Sequence, residues 1–272
     1  MGLLKMDFIR RHPLLSYFLL AYIFTWAIEV PMLLGARGII DVHLPVWLEA
    51  LAAFGPFAAA LIVLRLGSGK AGVEKLLVSL VKWRVPGFWL LFTVISPFVV
   101  LVAALSMTGE TAKLLSGELC QNLLAGGKFI QLVFIGGVLR GMGEEPGWRG
   151  MALPILRRRC GPLLATFALF PAWWLWHLPA FLARDEFQPV QFVMFGLGIL
   201  AAAVWCTLLY DATRSVLMLA LWHALINITR GMALSVSMAA FLAFAKVVVA
   251  VAVVIIVYWL LRRPKPYSVE YD

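Results

Sequence analysis

Apolar stretches long enough to cross a lipid bilayer recur along almost the whole chain, and they limit its possible folds more than any other feature. Of the 272 residues, 63% are hydrophobic and only 14% are charged, whereas a soluble domain carries about 25% charged residues. A chain this poor in charge cannot keep a water-facing surface polar. It therefore predicts an all-α protein that has lipid as its main solvent.

The apolar stretches predict a bundle of eight transmembrane helices, each of about 18–25 residues, as a hydrocarbon layer about 30 Å thick requires. They lie near residues 13–35, 44–66, 87–107, 129–157, 161–183, 189–210, 214–235 and 238–261. We expect the glycines and Pro146 to break or kink the fourth helix at Gly143–Glu145, because Pro146 removes a backbone hydrogen bond. Residues 1–272 then form a single transmembrane domain that ends in a polar, mobile tail at 264–272.

The distribution of basic residues predicts the orientation of the bundle. The net charge is +9, and the lysines and arginines cluster at the ends of apolar segments rather than in a stripe. This pattern favours a membrane protein and not a nucleic-acid-binding one. If the N-terminus is cytoplasmic, most of the 23 basic residues lie on the cytoplasmic side. We therefore expect both termini in the cytoplasm.

A short segment between the second and third predicted spans, GVEKLLVSLVKWRV, has helical periodicity. Its apolar residues recur three and four positions apart, on one face, at Val73, Leu76, Leu77, Leu80 and Val81. Charged residues lie on the other face. The spacing predicts a short amphipathic helix on the cytoplasmic surface.

Ionisable residues inside the predicted spans form a second pattern, since each costs at least ~2.5–3.5 kcal/mol at the bilayer centre. Counting along straight helices places the following residues in one layer near the middle of the membrane: Glu145, His177, His223 and Asn227. His223 and Asn227 share a helical face, and Glu145 is spaced to pair with Arg149. Glu144 is then the freer carboxylate.

These residue types can support hydrolysis of a peptide bond inside the membrane. A carboxylate and a histidine can hold a water molecule and take its proton, while a second histidine and an asparagine can stabilise an oxyanion. Two histidines and one carboxylate could instead hold zinc. The sequence contains neither HExxH nor GxSxG.

The same polar residues could also serve a different class of protein. A transporter could use Glu144, His177 and His223 as a proton relay, although no inverted repeat is evident. A non-catalytic immunity or partner protein is the other alternative.

Three motifs occur in order on consecutive predicted spans. EEPGWR at 144–149 matches EExxxR, WWLWH at 173–177 is similar to FxxxH, and HALIN at 223–227 is similar to HxxxN. In these motifs the chain resembles the CPBP family of intramembrane proteases, which comprises CAAX proteases and bacteriocin-processing relatives. The resemblance covers residues 125–230 closely, and the family's eight-helix layout agrees with the predicted spans.

The resemblance implies a role for each motif residue. Glu144 and His177 would activate water, and His223 and Asn227 would form the oxyanion hole. Glu145 and Arg149 would support the first motif. Trp173 stands where the family usually has phenylalanine, so it keeps an aromatic wall but changes the shape of the pocket.

The family has been described both as metalloproteases and as glutamate-type proteases. If zinc is bound, its ligands would be Glu144, His177 and His223. Asn227 and the second glutamate favour a metal-free site slightly.

The resemblance also implies the partners of the protein. Eukaryotic members, the Ras-converting endopeptidases, remove a C-terminal tripeptide from prenylated CAAX proteins, and prokaryotic relatives are linked to peptide maturation, self-immunity or pheromone processing. We therefore expect a lipidated or hydrophobic peptide as the substrate and the lipid bilayer as the environment. Short loops and small size favour a prokaryotic cell membrane.

Overall fold

The computed structural model describes residues 2–42, 44–45, 47–116 and 131–267, and this part of the chain is helical with no strands. The first seven helices are α1 (Gly2–Arg11), α2 (Pro13–Ala36), α3 (Trp47–Ala52), α4 (Gly55–Gly67), α5 (Gly69–Val81), α6 (Gly87–Met107) and α7 (Ala112–Leu115). A mixed segment follows, with π1 (Gln131–Leu139), α8 (Arg140–Gly147), π2 (Trp148–Ala152) and α9 (Leu153–Arg159). The last five are α10 (Pro162–Trp176), α11 (Leu178–Leu182), α12 (Pro189–Thr213), α13 (Val216–Val236) and α14 (Met238–Arg262).

Six helical segments in the described part are long and apolar enough to cross a membrane. They are α2, Ala50–Gly67, α6, α12, α13 and α14, and they correspond to six of the predicted spans. They indicate an integral, multi-pass membrane protein. The fifth predicted span is apolar but shorter, because α10 ends at Trp176. The fourth is rich in polar residues, so the count of eight spans stays a prediction, as do the cytoplasmic termini.

The fourth predicted span is not broken. Its π-helical and α-helical turns follow one another from Gln131 to Arg159, and Pro146 lies inside α8. The expected break at Gly143–Glu145 is therefore wrong. The turn after Pro146 is π-helical, and such widened turns allow a helix to continue past an irregularity in its hydrogen bonding.

The glycines of α8 bring it close to its neighbours instead of opening it. A Cβ atom at Gly143 would lie 2.5 Å from the carbonyl oxygen of Ala53, just before α4. A Cβ atom at Gly141 would overlap the carbonyl group of Ala220 on α13. Because glycine has no side chain, α8 can pass between α4 and α13 at backbone contact.

Two buried clusters surround α8. One joins α6, α12, α13 and α14 and includes Trp205 and Trp222. The other joins α2, α4, π2 and α10 and includes Trp148 and Trp176. Two polar side chains of α8, Glu144 and Glu145, are at most 1% exposed in this surrounding.

The amphipathic helix is present as α5, but its buried face is narrower than the sequence predicts. Leu76 and Leu80 are buried, whereas Leu77 and Val81 are 44% and 69% exposed. Only part of the apolar face therefore packs on the bundle. Its position on the cytoplasmic surface stays a prediction.

The beginning of the C-terminal tail packs against the bundle, so the expectation of a mobile tail is wrong for residues 264–267. The hydroxyl group of Tyr267 donates to Asp211, and its backbone N–H donates to the carbonyl oxygen of Arg157 at 2.9 Å. The guanidinium of Arg157 donates to the Asp211 carboxylate through Nε and NH2, at 3.1 and 2.9 Å. These hydrogen bonds thus hold a segment against the bundle that its polarity alone would leave in solvent. Residues 268–272 of the predicted tail lie outside the described residues.

Candidate active site

Glu145 lies at the centre of a buried charge cluster. NH1 of Arg149 donates to its Oε1 at 3.0 Å, so the ion pair expected from their spacing is confirmed. Nδ1 of His223, on α13, lies 2.7 Å from the same oxygen. Both Glu145 and Arg149 are at most 1% exposed. The sequence did not predict the contact with His223, because no local spacing relates the two helices.

Glu144, the next residue on α8, points to a different histidine. Its Oε2 accepts a hydrogen bond from the indole Nε1 of Trp173 at 2.8 Å. The same oxygen lies 3.9 Å from Nε2 of His177. This distance is too long for a direct hydrogen bond, and a water molecule could join the two side chains.

The end of α10 sets the orientation of His177. The backbone N–H of His177 donates to the carbonyl oxygen of Trp174, at 3.1 Å, in a tightened last turn. The carbonyl oxygen of Trp173 then lies 2.8 Å from Nδ1 of His177. Since a carbonyl oxygen only accepts, Nδ1 carries the proton, and the neutral ring presents a lone pair on Nε2 toward Glu144.

His223 is oriented in the same way by a carboxylate. Glu145 accepts a hydrogen bond from its Nδ1, so the neutral ring has no proton on Nε2. His223 can donate through Nε2 only as an imidazolium ion. Arg149 donates to the same carboxylate oxygen of Glu145.

Trp173 contacts four of the other candidate residues: Glu144, Arg149, His177 and His223. Its indole N–H donates to Glu144 and its carbonyl oxygen accepts from His177. The guanidinium carbon of Arg149 lies 3.8 Å from the centre of its ring, in cation–π geometry, and the ring of His223 meets it edge-on at 5.9 Å. The sequence predicts only an aromatic wall here. A buried indole N–H needs an acceptor, and that requirement could have predicted the bond to Glu144.

Asn227 lies one turn beyond His223 on α13, and its amide bonds to a different element. Its Nδ2 donates to the carbonyl oxygen of Gly136, in π1, at 3.0 Å. The amide has a second N–H, which this bond leaves available. The structure therefore links six predicted site residues in one network of contacts and places Asn227 against π1.

The three zinc-ligand candidates are divided between two carboxylates. His177 faces Glu144, whereas His223 bonds to Glu145. Among the described residues, no three His, Cys, Asp or Glu side chains are grouped in a way that could hold a metal ion. This donor set does not converge, so these three residues do not fit a zinc site.

Sequence reasoning missed the aromatic residues behind the site. Tyr17, on α2, is fully buried, and its ring meets that of Trp148 edge-on at 5.5 Å. Trp148 in turn packs on Trp176, beside His177. In apolar helices these residues give no signal that separates them from ordinary core. They form an aromatic wall that keeps bulk solvent from the buried side of the charge cluster.

A comparison with known protein families bears on these motifs. Residues 126–229, less than half of the chain, match the model of the Rce1-like family, described as type II CAAX prenyl endopeptidase Rce1-like. This match confirms the resemblance to CPBP and CAAX proteases, and it covers all the predicted site residues. No curated protein matches the chain.

Proposed function

We propose that the protein is an intramembrane endopeptidase that hydrolyses a peptide bond of a membrane-associated, CAAX-type prenylated peptide. The family match indicates a CAAX-type membrane protease. The observation that carries the proposal is the 3.9 Å separation of Glu144 Oε2 and His177 Nε2. Two proton acceptors at this distance can hold and polarise one water molecule between them.

In the proposed mechanism, the water oxygen attacks the carbonyl carbon of the scissile bond. One water proton passes to the Glu144–His177 pair, and the carbonyl oxygen becomes an oxyanion. When the tetrahedral intermediate collapses, the C–N bond breaks and the same proton passes to the leaving amine. The second water proton is lost from the new carboxylic acid. Glu144 and His177 return to their starting protonation states.

The oxyanion requires hydrogen-bond donors from α13. His223, whose Nδ1 bonds to Glu145, can supply Nε2–H when it is an imidazolium ion. Asn227 can supply the amide N–H that is not bonded to Gly136. Removing one such donor typically costs about 100- to 1000-fold in kcat.

Aromatic residues next to His177 support an apolar peptide as the substrate. The ring of Phe195 meets that of His177 edge-on at 5.0 Å, and Phe181 packs on Phe195 at 4.6 Å. Aromatic side chains beside the reacting groups favour apolar residues around the scissile bond and disfavour water there.

The experiment that tests the proposal uses purified protein in lipid vesicles with two peptides of one CAAX-type sequence, farnesylated and unmodified. Glu144→Gln and His177→Ala should each lower kcat about 100- to 10,000-fold. Glu110→Gln is the matched control, because Glu110 lies outside the site, next to Ser237, and its variant should keep full activity. Folded Glu144→Gln and His177→Ala variants that both still cleave would contradict the proposal.

Two further measurements separate the alternatives. Activity assays with a chelator, paired with metal analysis of the purified protein, test whether a metal takes part. If Glu144 and His177 activate water without a metal, the protein should keep its activity in the chelator. Wild-type protein that cleaves neither peptide, but carries a proton flux across vesicles, would favour the transporter interpretation.

A further inference from the structure

We propose that the indole N–H of Trp173 is a positioning group that holds Glu144 away from His177 and so keeps space for the attacking water. This inference rests on the proposed function. It assigns to Trp173 a role that an aromatic wall does not have, because a phenylalanine at this position could not donate a hydrogen bond.

The geometry at one oxygen atom carries the proposal. Oε2 of Glu144 accepts from Trp173 at 2.8 Å and faces Nε2 of His177 at 3.9 Å. The indole N–H thus takes the short contact that His177 could otherwise take when it is protonated on Nε2. In the part of the chain that the structure describes, Trp173 is the hydrogen-bond donor to Glu144.

Trp173 is itself held rigidly. It is only 2% exposed, its ring lies under the guanidinium of Arg149, and its other edge meets His223. Its backbone carbonyl oxygen also accepts from Nδ1 of His177. One residue therefore orients both members of the proposed water-activating pair, Glu144 through its side chain and His177 through its backbone.

Loss of the indole N–H should let the pair collapse. Glu144 is 1% exposed, and a buried carboxylate without a donor is unstable. If His177 then takes up a proton on Nε2, the imidazolium ion formed could approach Glu144 to about 2.7–2.9 Å, the length of a charge-assisted hydrogen bond. A contact that short leaves no room for a water molecule between the two side chains. Both groups would remain in place but would no longer activate water.

The principal variant is Trp173→Phe, which keeps an aromatic ring and removes the N–H. We expect kcat to fall about 10- to 100-fold, the effect of one hydrogen bond to a charged group. KM should change by less than about twofold, because Trp173 acts through Glu144 rather than on the substrate.

The matched control is Trp205→Phe. Trp205 is also buried, at 3% exposed, and its indole N–H donates to the carbonyl oxygen of Val248 at 3.1 Å, outside the site. This variant loses the same atoms and a hydrogen bond, so it should lose similar stability but keep wild-type kcat. An equal fall in kcat in both variants would overturn the proposal.

A second substitution removes the effect of the cavity that phenylalanine leaves. Trp173 is replaced by 3-benzothienylalanine, in which sulfur stands in place of the indole N–H and the ring size is kept. The same loss of kcat is expected. A kcat within about twofold of wild type in this protein would overturn the proposal even if Trp173→Phe folds poorly.

A spectroscopic measurement tests the bond without any turnover. With 15N-labelled tryptophan, the indole signal of Trp173 is the one missing from the Trp173→Phe spectrum. Glu144→Gln should shift this signal and leave that of Trp205 in place. An unmoved signal overturns the proposal. Wild-type protein without protease activity would contradict the proposed function alone, so the two failures are distinguishable.

Discussion

Replacing Gly143 by alanine tests the close approach on which the site depends. A Cβ atom there would lie 2.5 Å from the carbonyl oxygen of Ala53, 2.7 Å from its carbonyl carbon and 3.1 Å from the nitrogen of Phe54. Ordinary contact begins at 3.4 Å, so α8 and the Ala53 backbone must separate by about 1 Å. All three atoms belong to the backbone, and no side-chain rotation can relieve the overlap.

The separation should affect both stability and catalysis. Overpacking of this kind costs about 1–3 kcal/mol. Glu144 is the next residue, and a displacement of about 1 Å in a reacting group can lower the rate about 100-fold. We therefore expect Gly143→Ala to unfold at a lower temperature in detergent and to cleave the farnesylated peptide about 100-fold more slowly.

Gly198→Ala provides the matched control, because it makes the same chemical change inside α12. Apart from the adjoining residues and backbone of its own helix, no atom lies within 4 Å of a Cβ at Gly198, and alanine is about 1 kcal/mol better than glycine in a helix interior. This variant should be as stable as the wild type or more so, with unchanged activity. If Gly143→Ala is as stable and as active as Gly198→Ala, the close packing of α8 does not position the site.

Three other predictions concern the buried ion pair, the docking of the C-terminal tail and the orientation of the bundle. Arg149→Met leaves the buried carboxylate of Glu145 without its guanidinium, so we expect the free energy of unfolding to fall by about 3–5 kcal/mol. Denaturant titration in detergent measures this loss. A loss smaller than that caused by replacing an exposed arginine with methionine would contradict the stabilising role of the buried pair. Burial, and secondly the negative charge of Asp211, raise the pKa of Tyr267. The neutral hydroxyl of Tyr267 thus contributes its full stabilisation of the docked tail below a pH of about 10. This stabilisation is lost as the pH rises through the raised pKa of Tyr267. Asp211→Asn should weaken this docking at neutral pH, seen as faster carboxypeptidase digestion past residue 267; digestion at the wild-type rate would argue against it. In a variant whose other two cysteines are replaced by serine, an impermeant maleimide should label Cys160 in inverted vesicles but not on intact cells. The opposite labelling pattern would contradict the predicted orientation of the bundle.

Features that depend on nearby residues could be predicted from the sequence. The all-helical fold follows from apolar runs, since length and hydropathy are properties of a continuous segment. The pair of Glu145 and Arg149 follows from a spacing of four within one helix. The candidate site residues could be proposed from their motifs and from a count of depth, which placed Glu145 level with His177 and His223.

Local reasoning failed where a segment's behaviour depended on other parts of the chain. Pro146 predicted a break in the helix, but π-helical turns and glycine contacts with neighbouring helices keep the segment continuous. The polar tail predicted mobility, but Asp211 and Arg157 hold it through Tyr267. In both cases a contact distant in sequence outweighed a correct local tendency.

By itself, the sequence determined that the chain spans a membrane and which polar residues it carries there. Only the tertiary structure decided how those residues pair: Glu144 with Trp173 and His177, Glu145 with Arg149 and His223, and Asn227 with Gly136. Spacing along a helix sets which side chains share a face. The distance and rotation between helices, set here by backbone contact at glycine, determine which carboxylate each histidine meets and how much space remains beside it for water.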